Sequence, residues 1–358
     1  MATLQRGCGG RGLLRHLDED NGSVEKRTPA AIASLWQQMT GFVLTQALHA
    51  AADLRLADAL ASGPLAPADL GRQAGADAQA VTRVLRLLSG EGIFQELPDG
   101  RFENTFTSAL LRDGVPGSQR PAALHFGTVM YQAAAGLADG VRTGTVPFEA
   151  MFGEPFFDYM RGNPDAAVNF DGAMASSLPA RAAFVQLYGW SRFDHVVDVG
   201  GGTGELLAGL LARNPALTGV VVDRPALAEQ AQAVFQAAGV ADRAQFAGGD
   251  FFDDVPAGGD VYLLSSVLHD WSDPDAGRIL AACRRVMAGD ARLVVVDAVM
   301  AAGNPRSFTR VMDVMMLTIA TGRERTEEEW RALLESSGFR LERLVASPLL
   351  AILEAFPA

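Results

Sequence analysis

The sequence has 358 residues, of which 49% are hydrophobic, and a formal net charge of −12 at pH 7. This length and composition allow a large buried core, exclude a disordered chain and favour two domains over one. The negative charge disfavours binding to nucleic-acid phosphates and to anionic membranes.

The two cysteines, Cys8 and Cys283, are too far apart in sequence to indicate a disulfide framework or a metal site. Residues 1–29 lack the apolar run of a signal peptide, and no later segment is long and uncharged enough to cross a bilayer. We therefore expect a cytoplasmic protein with a frayed N-terminus over residues 1–29.

Residues 30–118 have the pattern of helices followed by a hairpin. Apolar residues recur at helical spacing in two stretches: Ile32, Leu35, Trp36, Met39 and Val43, and then Val81, Val84, Leu85 and Leu88. The pair Asp99-Gly100, between Phe94 and Phe102, is a turn signal of a β-hairpin. Together these features predict a mainly helical, winged-helix-like domain that mediates dimerisation.

A winged helix also raises the alternative of a DNA-binding regulator. Residues 65–105 contain four arginines (72, 83, 86 and 101) and six acids (69, 77, 91, 96, 99 and 103). A helix that reads a DNA groove normally carries an excess of basic residues. The charge balance therefore favours the dimerisation module over the regulator.

The pattern changes near residue 190, and we expect a helical connector over residues 119–190 and a second domain over residues 191–358. Short apolar runs alternate with helical stretches there: the runs are 196–199, 220–222, 261–264 and 293–296, and the helices are 206–213, 226–238 and 275–287. Buried runs joined by helices are typical of right-handed crossovers in a parallel sheet. The sequence therefore predicts a doubly wound, Rossmann-like α/β domain.

The glycine-rich stretch VVDVGGGTGE, residues 196–205, follows the first of these strands. In such a sheet, ligands bind at the carboxyl ends of the strands. A dinucleotide fingerprint requires a third glycine where Glu205 stands, so the match to a nicotinamide oxidoreductase fails. The spacing of Asp198, Gly200, Gly202 and Gly204, with Asp223 ending the next strand, suits a ligand that has a ribose and no pyrophosphate.

Five motifs in this order resemble one family, the S-adenosylmethionine-dependent O-methyltransferases typified by plant caffeic acid and bacterial antibiotic-tailoring enzymes. They are Asp198 to Gly204, Asp223, Gly249-Asp-Phe-Phe252, Val267-Leu-His-Asp-Trp271 and Gly322-Arg-Glu-Arg-Thr326. The resemblance covers the chain from about residue 30 to its end. It implies a winged-helix-like dimerisation domain, a connector over residues 119–190 that lines the substrate, and a methyltransferase domain. It also implies a homodimer, and S-adenosylmethionine without a metal ion.

The resemblance also implies which residues hold the cofactor. They are Gly200 and Gly202 at the backbone, Asp223 at the ribose, Asp250, Phe251 and Trp271 around the adenine, and Ser265 where the family has a lysine. The residues themselves leave alternatives open, since Asp223 and Asp250 are also typical turn residues and Trp271 is also a packing residue.

The resemblance makes His269 the general base, and it assigns its orientation to Asp297 and Glu324. A phenol with a pKa near 10 is a weak nucleophile until its proton is removed, and an imidazole with an ordinary pKa of about 6.5 is largely neutral at pH 7 and can accept that proton. Asp297 is one methylene shorter than the family's glutamate, so we expect it to reach His269 through water or a small shift. Thr326 and Glu329 form a predicted capping box, which leaves Glu324 outside the helix.

Apolar and sulfur-containing residues match the regions that line the acceptor site in the family. They are Phe126, Met130, Phe170, Met174, Met312 and Met316, with Asp313 either bonded to the substrate or facing solvent. Methionines at helical spacing are also common in ordinary cores.

The sequence thus predicts methyl transfer from S-adenosylmethionine to a hydroxyl of a small, polycyclic aromatic metabolite. Alternatives are methylation of a nitrogen, and a family member that has lost methyl transfer and catalyses another tailoring reaction. A winged-helix regulator is the alternative from a different class.

Overall fold

The computed structural model describes residues 28–303, 305–347 and 349–358, without the side chains of residues 177–180. Cys8 and the segment up to residue 27 that was expected to be frayed lie outside the described residues. Contacts divide the chain into two units, one ending at Gly114 and the other beginning at Val115. The predicted connector, residues 119–190, belongs to the second unit.

The first unit is mainly helical. Its elements are α1 (28–39), α2 (Gly41–Asp53), α3 (Leu56–Ala59), α4 (Pro67–Ala74), α5 (Ala78–Gly90), β1 (Phe94–Glu96), β2 (Phe102–Asn104) and α6 (Phe106–Ala109). Asp77 caps α5 by accepting the backbone N–H of Ala80 at 2.8 Å. Strands β1 and β2 pair antiparallel, so the predicted hairpin is confirmed. Gly100, in the turn between them, has a φ of 81°, which favours glycine.

The apolar stripe at the start of this unit is exposed. Large apolar side chains of α1 and α2 face outwards, with Trp36 62% and Met39 59% exposed; the others are Ile32, Leu35, Phe42 and Val43. Exposed apolar patches of this kind mark interaction surfaces. Three arginines of this unit form ion pairs with acids of the same unit: Arg72 with Asp69, Arg86 with Glu96 and Arg101 with Asp99.

Helices and a mixed sheet make up the second unit. Its helices are α7 (Arg120–Gly127), α8 (Val129–Ala134), α9 (Leu137–Thr143), α10 (Pro147–Phe152), α11 (Phe156–Gly162), α12 (Pro164–Val185), α13 (Glu205–Arg213), α14 (Ala228–Ala237), α15 (Asp273–Val286), α16 (Phe308–Ile319) and α17 (Glu327–Ser336). Its strands are β3 (His195–Val199), β4 (Thr218–Asp223), β5 (Ala244–Gly248), β6 (Val261–Ser265), β7 (Arg292–Asp297), β8 (Val299–Met300), β9 (Arg325–Thr326), β10 (Phe339–Ala346) and β11 (Ala351–Pro357).

Within the described residues the main sheet has the order β10-β11-β7-β6-β3-β4-β5. The four predicted apolar runs lie in β3, β4, β6 and β7, which are parallel, and apolar cores cover both faces of the sheet. The doubly wound α/β domain is therefore confirmed. The sheet as a whole is mixed, because β11 pairs antiparallel with β7 and β10 pairs antiparallel with β11.

The parallel strands point their carboxyl ends to one edge of the sheet. Val199, Asp223, Ser265 and Asp297 end β3, β4, β6 and β7 in turn. The segments after these strands form the candidate site. Among the described residues, no helix is long and apolar enough to cross a membrane.

Candidate active site

The glycine loop after β3 requires glycine for two different reasons. Gly200, Gly202 and Gly204 have φ values of 72°, 61° and 79°, which side-chain-bearing residues rarely adopt. A Cβ at Gly200 would lie 2.9 Å from the side chain of Val267, whereas a Cβ at Gly202 would meet no atom within 4 Å. The loop is thus tightly packed on one side and open at Gly202, where a ligand can approach the backbone.

Asp223, at the end of β4, fixes this loop. Its Oδ2 accepts the N–H of Gly202 at 2.8 Å, and its Oδ1 accepts the N–H of Arg224 at 2.7 Å. Asp223 therefore caps the turn, which was the alternative to ribose binding. Each carboxylate oxygen can accept a second hydrogen bond, so the same side chain can also receive ribose hydroxyls.

Aromatic side chains lie beside the glycine loop. The ring of Phe251 reaches to 3.6 Å from the position of a Cβ at Gly200, and its centroid lies 6.0 Å from that of Trp271. Phe252, which had no predicted role, packs edge-on against Trp271 at 4.9 Å. Asp250 is exposed and accepts the N–H of Phe252 at 3.0 Å, so here it serves the turn.

Several buried polar atoms at this edge have no protein partner. Both carboxylate oxygens of Asp198 and the hydroxyl of Ser265 are in this state, as is Nε of Arg181 on α12. Burial raises the pKa of Asp198 to about 7, and Arg181 opposes the shift. The carboxylate of Asp198 fits an ammonium or hydroxyl donor of a ligand, whereas Nε–H of Arg181 fits an acceptor such as a carboxylate. Ser266, directly after β6, has a left-handed φ of 55°, which is a sign of local strain.

His269 lies in a short 3₁₀ turn, Leu268–Asp270, at the same edge as the glycine loop. Its Nδ1 is 3.0 Å from Oε1 of Glu324, and its Nε2 is 3.5 Å from Oδ1 of Asp270. Asp297 is 1% exposed, and neither of its carboxylate oxygens has a protein hydrogen-bond partner, including His269. The structure therefore brings His269 and Glu324 into direct contact and adds Asp270.

The loop of Glu324 is held against the segment of His269 by close contacts. A Cβ at Gly322 would overlap the carbonyl oxygen of His269. The fully buried guanidinium of Arg325 donates to the carbonyl oxygens of Leu268 at 2.9 Å and Trp271 at 3.0 Å. These contacts fix the relative position of the imidazole and the carboxylate.

Two further contacts orient the Glu324 loop. Oδ1 of Asp313, on α16, accepts the backbone N–H of Glu324 at 2.9 Å, so this oxygen has a structural role. Thr326 and Glu329 exchange the hydrogen bonds of a capping box, as predicted.

The carboxylates around His269 change its charge state. Burial lowers the pKa of His269, but Asp270, Asp297 and Glu324 raise it, and the net result is a pKa of about 10. Three acids converge on one ring and favour a protonated imidazole at pH 7 in the ligand-free protein, whereas an ordinary imidazole is largely neutral at that pH. Burial also raises the pKa of Asp297 to about 7, against the effect of His269.

An apolar cluster adjoins this site through α16. Met130 and Met316 are buried in the cluster, and Phe126, Phe170 and Met312 pack against it. Met174 is 43% exposed. The cluster thus unites the acceptor residues suggested by the sequence with the exception of Met174.

Asp270, Arg325, Arg181 and His125 were not assigned from the sequence. Asp270 and Arg325 stand inside the motifs Leu-His-Asp-Trp and Gly-Arg-Glu-Arg-Thr, which could have indicated them. Arg181 and His125 have no motif, and only packing reveals them. In the described part of the chain, no group of histidine, cysteine and acidic side chains is placed to hold a metal ion.

Comparisons with known families and proteins agree on one family. An O-methyltransferase domain matches residues 135–340, and an O-methyltransferase dimerisation domain matches residues 36–113. The phenazine O-methyltransferase PhzM of Lysobacter antibioticus is 40% identical over 90% of this chain and 95% of its own length. The solved structure of the mitomycin 7-O-methyltransferase MmcR is 34% identical with a TM-score of 0.87, over 93% of this chain and 100% of that one.

Relatives also bear names of other reactions. The 8-amino-8-demethylriboflavin N,N-dimethyltransferase of Streptomyces davaonensis is 36% identical over 86% of this chain and 90% of its own. The aclacinomycin 10-hydroxylase RdmB of Streptomyces purpurascens is 38% identical over 86% of this chain and 84% of its own length.

A similar solved structure contains bound ligands. The structure of the O-methyltransferase NcsB1 with S-adenosylmethionine and 2-hydroxy-5-methyl naphthoic acid is 32% identical, with a TM-score of 0.77 over 88% of this chain and 96% of that one.

The close packing at Gly322 yields a structural prediction. The substitution Gly322→Ala should push the loop away from His269, because its Cβ has no space. We expect the His269–Glu324 distance in a crystal structure to exceed hydrogen-bond length and the melting temperature to fall. Gly209→Ala is the matched control, since a Cβ there meets nothing within 4 Å. An unchanged His269–Glu324 distance in Gly322→Ala would contradict this account of the loop.

Proposed function

The chain belongs to the O-methyltransferase family and uses S-adenosylmethionine, and we propose that it methylates a hydroxyl of a small, polycyclic aromatic metabolite. The observation that carries this proposal is the contact of His269 with Glu324 at 3.0 Å, at the sheet edge that bears the glycine loop. Bound S-adenosylmethionine supplies an electrophilic methyl group. The open backbone at Gly202 and the orphaned carboxylate of Asp198 support its binding beside this edge.

His269 is proposed to hold the proton of the acceptor hydroxyl. Nδ1 faces Glu324, so Nε2 is the nitrogen left for the acceptor, with Asp270 beside it. As the acceptor oxygen forms its bond to the methyl carbon and the carbon–sulfur bond breaks, the hydroxyl proton resides on Nε2. Glu324 stabilises the resulting imidazolium, and Asp297 adds negative charge to the same cavity.

The raised pKa of His269 matches this task. A phenol also has a pKa near 10, so the proton is shared between two groups of similar basicity. At pH 7 the imidazole of the free protein carries its extra proton, and the hydroxyl of a free phenol carries another. The active complex retains only one of these two protons, between the imidazole and the acceptor oxygen. One proton must therefore leave before methyl transfer.

Removal of the imidazole tests the base assignment. We expect His269→Ala to lose on the order of 10²-fold or more in turnover while S-adenosylhomocysteine binding is retained, because one acid–base group is lost. Turnover is measured by the transfer of labelled methyl to planar phenols, and S-adenosylhomocysteine binding is measured by calorimetry. His195→Ala is the control, since His195 begins β3 at the opposite edge of the sheet. Unchanged turnover in His269→Ala would refute the base assignment.

The pH dependence tests the charge state of His269. We expect kcat/KM to rise with pH above 7, because the neutral imidazole forms only as pH approaches a pKa raised to about 10. The cationic sulfonium of the bound cofactor should move the inflection below 10. Glu324→Gln should move it lower still, since one of the carboxylates that raise the pKa is gone. Glu327→Gln, in the first turn of α17, is the control; a plateau beginning at the ordinary histidine pKa would contradict the proposal.

The nature of the acceptor is proposed from the cluster of methionine and phenylalanine side chains. Polarisable sulfur and aromatic faces suit a flat aromatic guest. Because relatives are named for nitrogen methylation and hydroxylation, an aromatic amine is the second acceptor class to assay, and products other than methyl ethers are the third. Cytoplasmic location remains a prediction from the sequence.

A homodimer through the first unit is proposed from its dimerisation domain and from the exposed apolar face of α1 and α2. Trp36→Glu should shift the protein from dimer towards monomer in light scattering, because it places a charge on that face. Gln37→Glu adds the same charge without removing an apolar side chain and should stay dimeric. A dimer of unchanged affinity in Trp36→Glu would contradict this interface.

A further inference from the structure

His125, on α7, is a buried histidine for which the mechanism above has no use. It is 3% exposed, and its Nδ1 is buried without a hydrogen-bond partner. Its ring lies among aromatic rings, with centroid distances of 5.5 Å to Phe126, 6.2 Å to Phe156 and 5.5 Å to Phe170. A polar atom in this position is costly unless something binds it, because buried nitrogens are nearly always hydrogen-bonded.

The ring is uncharged at neutral pH. Burial lowers the pKa of His125 to about 4, so the imidazole offers one N–H donor and one nitrogen acceptor. Aromatic neighbours cannot give Nδ1 a full hydrogen bond. An imidazole that is neutral and enclosed by apolar rings favours an uncharged partner over a carboxylate, which would lose its hydration there.

The position of His125 connects it to the acceptor site. Phe170 and Phe126, which contact its ring, pack on the same cluster as Met312 and Met316 of α16. The same helix carries Asp313, whose carboxylate holds the backbone of Glu324, the partner of His269. Contacts therefore lead from His269 through Glu324 and α16 to the aromatic cluster that surrounds His125.

We propose that the imidazole of His125 hydrogen-bonds an uncharged polar substituent of the aromatic acceptor, such as a second hydroxyl or a carbonyl, and so selects acceptors that carry one. This inference rests on the proposed function, since it specifies the acceptor of that site. His125 is thus a specificity residue that contacts the substrate at a distance from the reacting oxygen.

The test compares planar phenols that differ at one position. The probes are 2-naphthol, 2,6-dihydroxynaphthalene and 6-hydroxy-2-naphthoate, and their dissociation constants are measured by calorimetry on the protein saturated with S-adenosylhomocysteine. We expect the wild type to bind the diol about 10-fold more tightly than 2-naphthol, as one buried hydrogen bond provides. The carboxylate should bind more weakly than the diol.

Two variants separate a specificity role from a packing role. His125→Phe keeps a planar ring without a polar atom and should bring the diol-to-naphthol ratio close to 1, with KM rising and kcat little changed. His125→Gln can still hydrogen-bond and should keep most of the preference. Affinity for S-adenosylhomocysteine should be unchanged in both. His195→Phe, at the opposite edge of the sheet, is the control and should keep the wild-type ratio.

Equal ratios in the wild type and His125→Phe would overturn the inference, even if the variant melts at a lower temperature, because the residue would then serve packing alone. A wild type without preference for the diol would also overturn it. Methyl transfer to 2-naphthol, which lacks the second group, reports separately on the proposed function. Transfer lost in His269→Ala but retained in His125→Phe supports the proposed function, whereas the diol-to-naphthol ratio decides the inference about His125.

Discussion

The site depends on the close packing of two backbone segments, residues 268–271 and 322–326. Gly322 leaves no room for a side chain against the carbonyl of His269, and the buried guanidinium of Arg325 bonds two carbonyl groups of the first segment. Because both segments are fixed by main-chain contacts, the imidazole and the carboxylate of Glu324 meet in one geometry. A preorganised pair of this kind is what acid–base chemistry requires.

The same packing explains the electrostatics. Three carboxylates, those of Asp270, Asp297 and Glu324, surround one imidazole in a buried cavity and stabilise its protonated form. His269, the proposed proton acceptor, is therefore not an ordinary neutral histidine but one whose basicity approaches that of a phenolate. In the aromatic cluster proposed to hold the acceptor the environment is opposite, since burial there keeps His125 uncharged. Two histidines thus have different chemistry because one lies among acids and the other among rings.

Much of the fold could be predicted because its strands are continuous apolar runs that are buried on both faces. The apolar-run pattern does not include β5, because this strand forms an edge of the sheet and its sequence, AQFAG, has no such run. It does not include β10, because exposed arginine and glutamate alternate with the buried residues of that strand. The glycine loop, His269 and Glu324 were accessible through motifs. The burial and the charge state of the site residues could not be predicted from the sequence. The convergence of Asp270 and Asp297 on His269, and the isolation of His125, arise only from tertiary packing.

The central claim is that His269 is a strongly basic imidazole paired with Glu324. The most direct measurement is an NMR titration of the His269 ring in the S-adenosylhomocysteine complex, with the resonance assigned by comparison with His269→Ala. The account predicts that the ring is protonated at pH 7.5 and titrates well above the ordinary histidine pKa, and that Glu324→Gln lowers its pKa. Titration near pH 6.5 in both the wild type and Glu324→Gln would contradict the account.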